Sequence, residues 1–227
     1  NFMAAGQGQL LYGLEINRND GPWDSPENLR KVNGVLRYSE GDAANGFNVT
    51  AMAYHNHWNA TDQIPARAVS SGLISHYGAI DTTDGGESSR YSLSYGLHRR
   101  NQQGALEVNA YMVQSSLDLY SNFSYFLNDP VNGDQFNQRE QRRMAGLNVS
   151  QTWFSTWAGL DVQNKLGMQT RYDRISPVGL YNTVARQRLA TIREDQVKEA
   201  SIGLFAENTT QWLPKFRSVA GVRYDSY

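Results

Sequence analysis

Apolar residues recur at every second position along most of this chain, and no stretch sustains a 3.6-residue period. A period of two sends successive side chains to opposite faces of a β-strand, so the chain is expected to be all-β. Nine segments alternate over strand-like lengths. Residues 9–18 set Leu10, Tyr12, Leu14 and Ile16 against Glu15 and Asn17, and residues 30–39 set Val32, Leu36 and Tyr38 against Lys31, Asn33 and Arg37. In residues 46–58, Phe47, Val49, Ala51 and Ala53 oppose Asn48, Thr50, Met52 and Tyr54. In residues 89–98, Tyr91, Leu93, Tyr95 and Leu97 oppose Arg90, Ser92, Ser94 and His98. In residues 105–115, Leu106, Val108, Ala110 and Met112 oppose Glu107 and Asn109. Ala145, Leu147 and Val149 then oppose Arg142 and Asn148. Residues 157–171 carry Ala158, Leu160, Val162, Leu166 and Met168 on one side, with Asp161, Gln163, Lys165, Gln169 and Arg171 on the other. Ala200, Ile202 and Leu204 oppose Glu199 and Glu207, and Ala220, Val222 and Tyr224 oppose Arg217, Arg223 and Asp225.

Alternation alone fits a soluble sandwich as well as a membrane barrel, but the connections discriminate. Short ones fall near Glu40–Asn45, Arg100–Gln103, Thr152–Thr156 and Gln211–Lys215, and they alternate with long ones near 19–29, 60–88, 116–139 and 173–195. Tight turns on one rim and long loops on the other are the habit of outer-membrane barrels, whereas several long structureless loops are uncommon in compact soluble domains. Aromatic residues gather at both rims. Tyr38, Phe47, Trp153, Trp157, Trp212 and Phe216 lie near the short turns, and Trp58, Tyr91, Tyr172 and Tyr224 near the long loops. Amphipathic rings prefer the headgroup zone. The apolar faces carry no Asp, Glu, Lys or Arg, so they are expected to face lipid, with Leu160 near the midplane.

The remaining composition removes other classes. No cysteine is present, which excludes disulfide frameworks, Cys-ligated zinc and thiol nucleophiles. The net charge of -1 gives no footprint for nucleic acid. No apolar run is long enough for a membrane helix, and a mean hydropathy of -0.59 is compatible with barrel strands that average polar and apolar positions. Nine strands would leave open edges, which lipid does not tolerate. The expectation is therefore an antiparallel up-and-down transmembrane β-barrel, incomplete over residues 1–227, with partner segments elsewhere.

Several stretches also resemble a known family. They are Asp20-Gly-Pro-Trp-Asp-Ser-Pro-Glu-Asn-Leu-Arg-Lys31, Trp58-Asn-Ala-Thr-Asp-Gln-Ile-Pro-Ala-Arg67, Asp84-Gly-Gly-Glu-Ser-Ser-Arg-Tyr-Ser-Leu93, Ser121-Asn-Phe-Ser-Tyr-Phe-Leu-Asn-Asp-Pro130 and Ala220-Gly-Val-Arg-Tyr-Asp225. Their order resembles the barrel of TonB-dependent outer-membrane receptors. That resemblance implies a 22-stranded barrel in the Gram-negative outer membrane, plugged by an N-terminal domain of the same parent chain. It implies TonB-driven uptake of a scarce small-molecule ligand, such as a siderophore-like metal chelate. Neither the plug nor the TonB-contact segment is recognisable in this sequence. The alternative reading is an open, porin-type diffusion channel.

No phosphate loop, nucleophile elbow or zinc-protease motif occurs, so a non-enzymatic role with no catalytic residues and no cofactor is expected. His55 and His57 share one face of a strand, but on the lipid side, where interfacial polar residues are the better reading and a metal site is not expected. Two oxygen-rich loop clusters, Asp81–Glu87 and Asn128–Asp134, lack calcium-loop spacing and read as Asx turns. Arg37, Arg90, Glu107, Asp161, Lys165, Arg171, Arg217 and Arg223 are expected to line the lumen, many in cross-strand ion pairs. Ligand contact is assigned by position to loop and upper-wall residues Trp23, Tyr54, Trp58, His76 and Tyr77.

Overall fold

The computed structural model describes residues 2–227. It contains ten strands in one sheet: β1 (Phe2–Ala5), β2 (Gly8–Asn19), β3 (Leu29–Gly41), β4 (Asn45–Asn59), β5 (Gly85–Arg100), β6 (Gly104–Ser121), β7 (Phe136–Trp157), β8 (Leu160–Val184), β9 (Gln187–Leu213) and β10 (Phe216–Ser226). One short helix, α1 (Ala66–Ser70), interrupts the connection between β4 and β5. Strand order follows sequence order, and every neighbouring pair is antiparallel. This is an all-β, up-and-down meander with β1 and β10 at its open edges, the topology of a barrel wall.

The register confirms the facing read from the sequence. Following one row across the sheet, Tyr12 pairs with Leu36, Leu36 with Ala51, Ala51 with Leu93, and Leu93 with Met112. Met112 then pairs with Ala145, Ala145 with Tyr172, and Tyr172 with Ala200. The apolar faces of β2 to β9 therefore merge into one surface, which β10 continues where Tyr224 pairs with Leu204. No second layer among the described residues covers it. Leu14 is 70% exposed, Met112 65% and Val222 72%, while the buried hydrophobic residues among those described are only Ala68, Val162, Ile175 and Tyr181. A water-soluble sheet protein buries such a face against another layer; here it is left for an apolar solvent. Among the described residues no helix is long and apolar enough to cross a membrane. From Leu160 to Tyr172 at about 3.3 Å per residue, tilted about 45°, the band on β8 stands about 28 Å tall, close to hydrocarbon thickness.

On the opposite, polar face, large rings lie over glycines of the neighbouring strand: Tyr111 over Gly146, Phe205 over Gly167 and Trp58 over Gly86. A glycine leaves an opening in the wall of side chains, and the partner ring fills it.

Several expectations need correction. β1 was not foreseen, because four residues are too few to display a period. Residues 173–195 are not a loop: β8 and β9 continue to a two-residue turn at Ala185 and Arg186, both with positive φ. The turn expected at Thr152–Thr156 is strand, and the chain reverses instead at Ala158 and Gly159. Ala158 is thus a turn residue, and Leu160, the first residue of β8, lies at the short-turn rim instead of the midplane. Trp58 pairs with Gly86 on the polar face, so it is not part of an outward aromatic belt. The remaining short turns occupy residues 6–7, 42–44, 101–103 and 214–215, and the long connections residues 20–28, 60–84 and 122–135.

Candidate functional site

The three long connections meet at one rim. Asp24 N–H donates to the Tyr77 carbonyl at 3.1 Å, and Ser75 Oγ donates to Asp24 Oδ2 at 2.5 Å, which joins loop 20–28 to loop 60–84. Around that junction Trp23 packs on Tyr77 with centroids 6.2 Å apart, and His76 meets Tyr77 edge-on at 5.3 Å. Trp23 Nε1 donates to Glu27 Oε1 at 2.8 Å, which fixes the ring. His76 and Tyr77 are exposed. Three of the five residues assigned to ligand contact are thereby brought together. Tyr54 and Trp58 stand apart from them, on the polar face of β4 opposite Arg90 and Gly86, and no ring contact among the described residues links the two groups.

A second cluster locks the rim. The Gln135 side chain, 2% exposed, donates through Nε2 to Thr83 Oγ1 at 2.7 Å and Asp84 Oδ1 at 3.1 Å. Its Oε1 accepts from Thr183 Oγ1 at 3.0 Å and from the Arg186 N–H at 2.9 Å. Arg186 reaches back from the β8–β9 turn: Nε donates to the Thr83 carbonyl at 2.6 Å, and Nη2 to Asn59 Oδ1 and the Asp84 carbonyl, each at 3.0 Å. Asn122 adds loop 122–135 by donating its N–H to Asp62 Oδ2 at 3.0 Å and Nδ2 to Asp81 Oδ2 at 2.9 Å. Gly85 makes this closeness possible, because its φ of +136° and its approach to the Trp58 carbonyl and Arg186 exclude a side chain. Burial, then the charge of Asp81 and a hydrogen bond with Asp62, push the Asp84 carboxyl up to about 8.

Neither Gln135 nor Arg186 was singled out from the sequence. A usable signal existed in the β-formers Tyr181, Thr183, Leu189 and Ile192 on both sides of a short polar gap.

The acidic loop clusters behave as Asx turns. Asp129 Oδ1 accepts the N–H groups of Val131 at 3.0 Å and Asn132 at 2.9 Å, and Asp134 accepts those of Asn128 and Asp129. His55 Nδ1 lies 3.8 Å from Glu87, and no metal-holding cluster occurs among the described residues. Arg37, Arg90, Glu107, Asp161, Lys165, Arg171, Arg217 and Arg223 all lie on the polar face by register. Lys165 pairs with Glu107 at 3.5 Å, Arg171 with Asp173 at 2.5 Å, and Arg223 with Asp225 at 2.6 Å. Arg90, Asp161 and Arg217 have no ion pair among the described residues.

Comparison with known proteins agrees with this geometry. The family model described as "TonB dependent receptor-like, beta-barrel" matches residues 12–227. The structure is similar to the ferric citrate transporter FecA in its unliganded form, with a TM-score of 0.68 and 10% identity over 98% of this chain and 33% of that one. It is also similar to the ferric-catecholate import receptor Fiu from E. coli K12 in an open form, with a TM-score of 0.59 and 12% identity over 99% of this chain and 41% of that one. At these identities the likeness shows the fold. The chain spans a third to two-fifths of the length of these two proteins. No curated protein matches it.

Proposed function

The chain belongs to the TonB-dependent receptor family as a stretch of its β-barrel, and from that premise we propose that it serves the energised uptake of a scarce solute across the Gram-negative outer membrane. The solute class we assign is a metal chelate, in keeping with the ferric ligands named for FecA and Fiu. The observation that carries the reading is the rim where Trp23, His76 and Tyr77 are gathered by hydrogen bonds between two loops. Exposed aromatic surface on a rigid scaffold is what a bulky, partly apolar chelate needs for capture. In this reading the polar face, with Arg37, Arg90, Asp161 and Arg217, lines the lumen. A plug domain of the same parent chain fills it, and TonB acts through that domain.

The test is uptake of labelled ferric chelates by cells that express the full chain and lack their own receptors. Uptake is expected to require TonB and to fall about fivefold or more in a Trp23→Ala, Tyr77→Ala double variant, for two aromatic contacts each contributing about 0.5–1.5 kcal/mol beyond their buried area. Equal uptake with and without TonB, scaling linearly with solute concentration, would instead identify a diffusion channel.

A further inference from the structure

Three cations stand side by side just beyond the apolar band, on the same side of the sheet. Arg143 of β7 is directly opposite Arg174 of β8, and Arg174 is directly opposite Lys198 of β9. All three side chains are exposed, and none takes part in an ion pair or side-chain hydrogen bond among the described residues. Like charges on directly opposed strand positions repel, so the row is destabilising unless something anionic is supplied from outside. Its height identifies the source. The next row towards the short-turn rim is Ala145–Tyr172–Ala200, the top of the apolar band, with the ring of Tyr172 in the headgroup zone.

The surroundings suit a phosphate. A polar cleft of about 290 Å³ opens beside the row, lined on this side by Gln114, Ser116, Gln141, Arg143, Arg174 and Ser176, with no carboxylate in its lining. The acids on this face beyond the row, towards the long loops, are engaged: Asp118 with Arg139 at 3.6 Å, Glu194 with Arg188 at 3.0 Å and Glu87 with His55 at 3.8 Å. Amide and hydroxyl groups next to two guanidinium forks make a site for tetrahedral oxyanions.

We propose that Arg143, Arg174 and Lys198 form a docking site for the phosphate-bearing headgroup of an outer-leaflet lipid. Its acyl chains lie down the Met112, Ala145 and Tyr172 surface below.

Native mass spectrometry of the full chain in detergent tests this with three probes: a bisphosphorylated lipid A, the same lipid after removal of its phosphates, and inorganic phosphate. The bisphosphorylated lipid is expected to bind the wild type, with affinity falling about fivefold for each cation neutralised in Lys198→Gln and in Arg143→Gln/Arg174→Gln. Heat-modifiable gel mobility reports that each variant is folded, and Arg143→Lys/Arg174→Lys, which keeps the charge, retains binding and serves if the glutamine pair does not fold. Unchanged affinity in Lys198→Gln, or equal binding of the dephosphorylated lipid, overturns the proposal. Inorganic phosphate binding as tightly as the lipid also overturns it, by showing a free-anion site.

Discussion

Gln135 Oε1 accepts the backbone N–H of Arg186 at 2.9 Å, across 51 residues of sequence. The same amide donates to Thr83 and Asp84, so one side chain joins the ends of two loops to the tip of the β8–β9 hairpin. Removing it leaves several buried polar groups without partners, each costing about 1–3 kcal/mol. Gln135→Leu is expected to raise amide exchange in residues 60–84 and 183–187 while leaving β5 to β7 protected. Arg186→Ala should act on the same segments. Exchange that rises uniformly through the sheet in either variant would show that the cluster supports the whole barrel and not the rim.

Asp84 gives the rim a pH dependence whose sign is fixed. An ordinary carboxyl titrates near 3.8 and this one near 8, so between those values the folded rim holds a proton that the opened rim releases. Its stability is therefore greatest in acid and declines as pH rises through that window, becoming level above about 8. Asp129 works in the opposite sense, because the Asn132 N–H holds its carboxyl below the usual range, and its contribution is lost only as pH falls below about 4. Opening of residues 60–84, followed by hydrogen exchange corrected for intrinsic rates, should become easier from pH 5 to pH 8. Asp84→Asn should remove that trend. A trend of the same size in the variant would assign it to another group.

What the sequence disclosed and what it withheld follow one rule. From β2 to β10 the alternation was legible wherever one face meets an apolar solvent and the other a polar one, because that asymmetry dictates which residue types are tolerated at each parity. Above the band both faces of β8 and β9 meet water. Arg174, Arg188, Arg193 and Glu194 then fall on either parity, and 173–195 read as a loop. Trp58 was misplaced for the converse reason: its height was judged correctly, while the parity that sets it on the polar face was passed over. Trp23, His76 and Tyr77 could be chosen as loop aromatics, but their meeting depends on a hydrogen bond between Ser75 and Asp24 that no local pattern announces. The Gln135–Arg186 cluster is long-range in the same way, without a motif to mark it.

Facing can be tested on a single strand. Met168 lies on the apolar face between Val149 and Leu204, well inside the band, and Lys165 lies on the polar face 3.5 Å from Glu107. An arginine at the hydrocarbon midplane costs about 2–4 kcal/mol, so Met168→Arg should sharply reduce the fraction folded into liposomes. Lys165→Gln removes one solvent-accessible ion pair and should cost less than about 1 kcal/mol. Gel mobility of the folded and heat-denatured forms reads both. Equal tolerance of the two changes would reverse the assignment of faces.

The turn between β7 and β8 offers a gain in stability. Ala158 and Gly159 have φ of 52° and 78°, the pair of left-handed conformations that a two-residue hairpin turn requires. Glycine adopts this without cost, but alanine there sets its Cβ against the following carbonyl. Asparagine tolerates the same backbone through local hydrogen bonds, and Asn-Gly is the preferred sequence for this turn. Ala158→Asn should therefore raise barrel stability by about 0.5–1 kcal/mol. Ala158→Val, β-branched and least tolerant of positive φ, should lower it by about 1 kcal/mol or more. Urea midpoints for the protein folded in liposomes would show the order Asn, Ala, Val. A valine variant as stable as the asparagine variant would mean that this turn does not hold a left-handed pair in the membrane.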